Sequence, residues 1–126
     1  MVPGDLKYTK EHEWIKVDGD EAVIGITDHA QAELGDITFI DLPQEGNDIV
    51  KSASIATVES VKAASDVYSP LSGKIAGVND ALEAEPEKMN QSPYEDGWIC
   101  RIRMTDAGEL DGLMDASAYE EFLKES

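Results

Sequence analysis

The sequence predicts a mainly β fold covered at its end by short helices. Three observations carry this: short β-prone runs separated by turn residues, a strand of strict two-residue alternation near residue 100, and a switch to helical spacing after it. The length of 126 residues suits one compact domain with its own hydrophobic core. Residues 1–126 are therefore read as a single domain.

In chain order, Trp14-Ile15-Lys16-Val17 and Ala22-Val23-Ile24-Gly25-Ile26 flank Asp18-Gly19-Asp20. An Asp-Gly step between two apolar runs favours a tight β-hairpin. Asp28 is placed to cap a short helix with Gln31 as reciprocal partner, and Gly35 to end it after Leu34. Ile37 to Leu42 reads as a strand halted by Pro43, and Gln44-Glu45-Gly46-Asn47 as a turn leading into Ile49-Val50. Ser54 to Glu59, Val67 to Ser69 and Lys74 to Val78 are further β-prone runs, with Pro70 and Ser72-Gly73 as breaks. Lys62 falls in the gap between the first two of these, in a hairpin predicted over about 54–70. Residues 79–94 read as a loop. Trp98, Cys100, Ile102 and Met104 then alternate with Arg101 and Arg103, as in a half-buried strand. Finally, Leu110, Leu113 and Met114, then Tyr119, Phe122 and Leu123, follow helical spacing. Asp106/Glu109 and Ser117/Glu120 are candidate capping boxes for two short helices over about 106–125.

Charge narrows the class of partner. Aspartate and glutamate number 27 against 10 lysines and arginines, a formal charge of -17. Such a surface repels nucleic acid and anionic membranes. No apolar run approaches the length of about 20 residues needed to span a bilayer. The same acidity would steer the protein toward basic patches on other proteins, although acidity for solubility alone is the plainer reading. Cys100 is the sole cysteine, which excludes an internal disulfide and fits a reducing compartment. Met1 to Asp5 resembles neither a secretory nor an organellar leader. The expected location is the bacterial cytoplasm, with a mature mitochondrial protein as the alternative.

Candidate catalytic groups are few. His12 and His29 are far apart in sequence, and Glu11-His12-Glu13 has no recognised metal-ligand spacing, so no metal site is expected. Cys100 lies on the apolar face of its strand, where a small buried hydrophobe is expected rather than a nucleophile. Nucleotide-binding loops and hydrolase elbows are missing from the sequence. Lys62 has Glu59 and Asp66 nearby in sequence, which favour its charged, unreactive form over a Schiff-base role. From local pattern it is either an ordinary solvated lysine or one displayed for modification by another enzyme.

A wider pattern separates these readings. Tyr8-Thr9-Lys10-Glu11-His12-Glu13-Trp14, Gly25-Ile26-Thr27-Asp28-His29-Ala30-Gln31, Leu34-Gly35-Asp36-Ile37 and Glu59-Ser60-Val61-Lys62-Ala63-Ala64-Ser65-Asp66 occur in this order. Ser69-Pro70-Leu71-Ser72-Gly73, Asn90-Gln91-Ser92-Pro93-Tyr94, Gly97-Trp98 and Leu110-Asp111-Gly112-Leu113 follow. Together they resemble the glycine cleavage system H-protein family over nearly all of the chain.

The resemblance implies a barrel-sandwich hybrid of the lipoyl-domain type, with lipoate in amide linkage to Lys62 at a hairpin tip and no turnover of its own. It implies three enzyme partners. The P protein, glycine decarboxylase, loads an aminomethyl group on the arm. The T protein, an aminomethyltransferase, passes the one-carbon unit on, and the L protein, dihydrolipoyl dehydrogenase, reoxidises the arm. Lipoylating enzymes are further partners. Glu13 and Asp66 match acidic positions expected in a cleft that shelters the loaded arm, although each reads locally as a solvated surface acid; Glu11 is assigned no role. Biotinyl domains usually place methionines on both sides of the lysine, and lipoyl domains of 2-oxo acid dehydrogenases typically show Asp-Lys-Ala. Val61-Lys62-Ala63 fits neither as well. The alternatives in function are a relay donating lipoyl groups to other complexes and an unmodified acidic interaction module.

Overall fold

The computed structural model of the protein describes residues 2–125. Among these residues nine strands form two antiparallel sheets. In the first, β1 (Lys7–Tyr8), β2 (Glu13–Asp18), β3 (Glu21–Ile26), β9 (Cys100–Met104), β8 (Gly73–Val78) and β5 (Asp48–Ile49) lie side by side in that order. The second runs β4 (Ile37–Asp41), β6 (Ser54–Ser60), β7 (Ala64–Tyr68). Neither closes on itself. Ile24, Ile75 and Ile102 from the larger sheet share one buried cluster with Ile40, Val58 and Val67 from the smaller. This is the predicted mainly β, lipoyl-domain-like architecture, with its core between the sheets.

The predicted hairpin forms: β2 and β3 pair from Glu13↔Ile26 to Asp18↔Glu21, turning at Gly19 with φ 66°. That value lies in the left-handed region that glycine enters at little cost. Gly25 has a different role. A Cβ there would sit 2.5 Å from the Trp14 ring, which is buried with its Nε1 donating to the Pro93 carbonyl at 2.8 Å. Gly25→Ala must push the indole off that bond. The expected cost is about 2 kcal/mol, measurable as a lower urea midpoint at unchanged slope; an unchanged midpoint would show that the ring has room to move.

Helix α1 (Asp28–Leu34) is capped one residue earlier than predicted. Thr27 is the N-cap, its Oγ1 accepting from Ala30 N, and Asp28 is the first helical residue, accepting from Gln31 Nε2 at 2.8 Å. Thr27 is fully buried, so its backbone lies in the core boundary and Asp28 points out. Gly35 ends the helix as expected, at φ 79°. Residues 79–94 are not simply loop. They hold two single-turn helices, α2 (Ala81–Ala84) and α3 (Lys88–Gln91), which bury Leu82 and Met89. One buried side chain per helix is too short a pattern to show a period.

The alternating strand is confined to β9, where Cys100 and Ile102 are buried and Arg103 is exposed; Trp98 precedes it. Burial pushes the Cys100 thiol up to about 12, consistent with an inert packing role. At the C-terminus a 3-10 helix (Ala107–Gly112) precedes α4 (Ala116–Glu125). Neither predicted capping box forms. The Asp106 side chain accepts from Gly108 N, and Glu109 instead reaches Ser72, accepting from its N at 2.6 Å and its Oγ at 2.8 Å. Asp115, not Ser117, receives a backbone donor at the start of α4, from Ala118 N at 2.8 Å.

Candidate functional site

Lys62 lies at the tip of the β6–β7 hairpin, and the chain around it is held from three sides. Ser60 N donates to the Ala63 carbonyl at 2.8 Å, closing the turn, while Ser60 Oγ accepts from both Lys62 N and Ala63 N at 3.2 Å. Val61 N donates to Asp36 O at 3.1 Å, tying the tip to the segment after α1. The backbone is thus fixed while the Lys62 side chain is exposed. Its ammonium meets the Glu33 carbonyl at 3.4 Å, at the partly negative C-terminal end of α1. Among the described residues it forms no ion pair with Glu59 or Asp66, despite their nearness in sequence. Attachment needs an exposed amine on a rigid support with space beside it, and Lys62 meets these conditions.

A cleft of about 170 Å³ opens beside the hairpin. One wall is the turn Glu11-His12-Glu13, the second is α1 through His29, Ala30, Glu33 and Leu34, and the third is the hairpin through Val58 and Ser65 to Val67. Glu13 and Asp66 therefore border one cleft although they belong to different sheets. Their settings differ sharply. Glu13 is only 2% exposed. Its Oε1 accepts from Thr9 Oγ1 at 3.0 Å and its Oε2 from Tyr68 N at 2.8 Å, so it joins the first sheet to the end of β7. Burial raises its carboxyl from 4.5 to about 7 against the opposing pull of those two donors. A solvated surface acid was the local reading of this position; the position is a buried junction. Asp66 is exposed, and its Oδ1 accepts from Thr57 Oγ1 at 3.0 Å across the strand pair.

The fold also assembles groups that sequence distance separated. His12 and His29 have ring centroids 4.4 Å apart, and His29 Nε2 lies 2.8 Å from Glu33 Oε1. Burial, then the neighbouring His29, lowers the pKa of His12. His12 adopts φ 67°, uncommon for a side chain with a Cβ. Among the described residues no three His, Cys, Asp or Glu side chains converge as metal ligands. Of the two groups that hold Glu13, Thr9 lies four residues away within the quoted block, whereas Tyr68 is 55 residues away in the other sheet and carries no signal of this contact in the sequence.

The comparisons with known proteins agree with this geometry. The family model described as "Glycine cleavage H-protein" matches residues 6–126. The chain belongs to the glycine cleavage H-protein family. It is 50% identical to the glycine cleavage system H protein of Symbiobacterium thermophilum, over 98% of this chain and 97% of that one. Identity is 53% to the H protein of Nitratidesulfovibrio vulgaris, over 94% of this chain and 92% of that one. A mitochondrial H protein 2 of Arabidopsis thaliana is 50% identical over 99% of this chain and 80% of its own length. The crystal structure of the H protein from Mycobacterium marinum superposes with a TM-score of 0.86 at 37% identity, covering 98% of each chain. Family membership supports a carrier role in glycine cleavage, and no helix among the described residues is long and apolar enough to cross a membrane.

Proposed function

We propose that this protein is the lipoyl-bearing carrier of a glycine cleavage system, acting as one carrier domain over residues 1–126, with lipoate in amide linkage to Lys62. The observation that carries the proposal is the exposed Lys62 on a hydrogen-bonded turn, beside a cleft, in a chain of the H-protein family. When bound, the lipoyl group would supply a redox-active dithiolane: its reductive opening takes up the aminomethyl group delivered by the P protein, the T protein removes that group to leave a dithiol, and the L protein withdraws two electrons to restore the disulfide. Catalysis belongs to those partners, and the carrier works in the bacterial cytoplasm.

The chain's own residues do three things. Ser60 fixes the attachment point, so the arm alone moves while the support stays rigid. Acylation removes the charge of Lys62, taking the formal total from -17 to -18 and abolishing its ammonium contact with the α1 carboxyl end. Glu13 and Asp66 supply carboxylates to the cleft. A cation arriving there favours the ionised form of Glu13 over the protonated one that burial prefers, and the Thr9 and Tyr68 donors hold that carboxylate in place.

Intact mass after co-expression with lipoylating enzymes tests attachment: a single lipoyl increment is expected, and an unmodified chain would refute the reading. Docking has its own test. If the acidic surface steers encounter, association with the P protein should slow severalfold or more between low and physiological salt. A rate independent of salt would leave the charge to solubility alone.

A further inference from the structure

Tyr119 is fully buried on α4, yet it carries a hydroxyl that must be satisfied. The Oη lies 2.7 Å from His12 Nδ1 and 2.9 Å from Thr27 Oγ1. These two partners belong to different elements around the cleft beside Lys62. His12 is in the turn that forms one wall. Thr27 is the N-cap of α1, which forms another wall and whose carboxyl end meets the Lys62 ammonium. The two are also joined directly, Thr27 N donating to His12 O at 3.0 Å.

The ring of Tyr119 has separate support. It stacks on Tyr8 with centroids 4.6 Å apart and planes at 6°, and it neighbours Phe122 at 6.3 Å. Packing is therefore carried by the aromatic faces, and the hydroxyl is left to orient His12 and Thr27. The backbone of His12 is in the left-handed region, a conformation that persists only where the surroundings impose it. From α4, His12 meets both the Tyr119 hydroxyl and the Phe122 ring, the latter at 5.8 Å between centroids, while His12 N donating to Thr9 O at 3.1 Å ties its backbone into the turn.

We propose that Tyr119 is a positioning residue for the arm cleft: through one hydroxyl, the C-terminal helix holds the His12 wall and the N-cap of the α1 wall at a fixed separation. This rests on the carrier reading above, because it assigns the cleft to the arm on Lys62. Tyr119 touches neither the lysine nor the arm and acts through His12 and Thr27.

Tyr119→Phe keeps the stacking and removes only the hydroxyl. In the unmodified protein, amide hydrogen exchange at Thr27 and Ala30 should accelerate about fivefold or more, the scale of one lost hydrogen bond. Exchange at the distant pair Ile75 and Ile102 should stay at the wild-type rate. In the lipoylated, glycine-loaded protein, spontaneous ammonia release should accelerate by a similar factor, with the lipoyl increment unchanged. His12→Asn tolerates the left-handed backbone and removes one of the two partners of the hydroxyl, leaving Thr27; it should reproduce the effect, and the double variant should add little to Tyr119→Phe alone. Wild-type exchange at Thr27 and Ala30 in both single variants would overturn the proposal. So would uniform acceleration across the core, which would make the hydroxyl a global stabiliser. Altered exchange with unaltered ammonia release would overturn the link to the arm, and absence of any lipoyl increment in the wild-type protein would instead overturn the carrier reading.

Discussion

Lys62→Arg is expected to leave the protein folded and wholly unlipoylated. The residue is exposed and its backbone is held by Ser60 and Asp36 rather than by its own side chain, so the stability change should stay within about 0.5 kcal/mol. Arginine keeps the positive charge and can still donate to the Glu33 carbonyl. Its guanidinium is always protonated and offers no amine nucleophile for amide formation. Intact mass after co-expression with lipoylating enzymes should show one increment in the wild-type protein and none in the variant, and glycine-dependent turnover with the P, T and L proteins should fall to background. An increment that survives the substitution would place the arm on another lysine.

The pH dependence of stability should carry the signature of Glu13. Its carboxyl rises from 4.5 to about 7 on folding, with burial as the leading cause. Below pH 4.5 it is protonated in both states and its favourable contribution is fully present. Between the two values the folded protein keeps a proton that the unfolded chain has lost, so stability falls as pH rises, and above about 7 the contribution is gone. The total is roughly 3 kcal/mol. Glu13→Gln isolates it, because the amide mimics the neutral acid: its oxygen can accept from Tyr68 N and its nitrogen can donate to Thr9 Oγ1. Urea unfolding of both proteins from pH 4 to pH 8 should show the wild-type stability declining relative to the variant through this window. A difference that rises with pH would mean that the Thr9 and Tyr68 donors outweigh desolvation and hold Glu13 ionised throughout.

This behaviour also bears on function. A buried carboxyl near neutrality can respond to a cation at modest cost, whereas Asp66 is exposed and accepts from Thr57 across the strand pair. The two acids that the family resemblance grouped together therefore have different physical capacities, which follow from Glu13 joining two sheets and Asp66 lying on an exposed strand.

Much of the fold was legible because its signals are local. The Asp-Gly turn, Gly35, Pro43 and the alternation around Cys100 act over a few residues through backbone preference and side-chain facing, and each reappears in the structure within a residue or two. The misplaced caps fail for a physical reason as well. Asp28, Ser117 and Glu109 are chemically suited to capping, but Thr27 and Asp115 hold the required backbone geometry, and Glu109 finds better donors on Ser72. The helices in residues 79–94 were missed because a single turn with one buried side chain has no period to detect.

By itself the sequence determined the mainly β class, the hairpin that carries Lys62 and the family to which the chain belongs, since turn chemistry, two-residue alternation and ordered motifs are properties of neighbouring residues. Only the tertiary structure decided that Glu13 is buried between two donors, that the His12 and His29 rings meet, and that the Tyr119 hydroxyl lies against both His12 and Thr27. Those facts depend on the packing of the two sheets and α4 over separations of up to 107 residues, and burial, which sets both charge state and orientation, exists only once those surfaces have met.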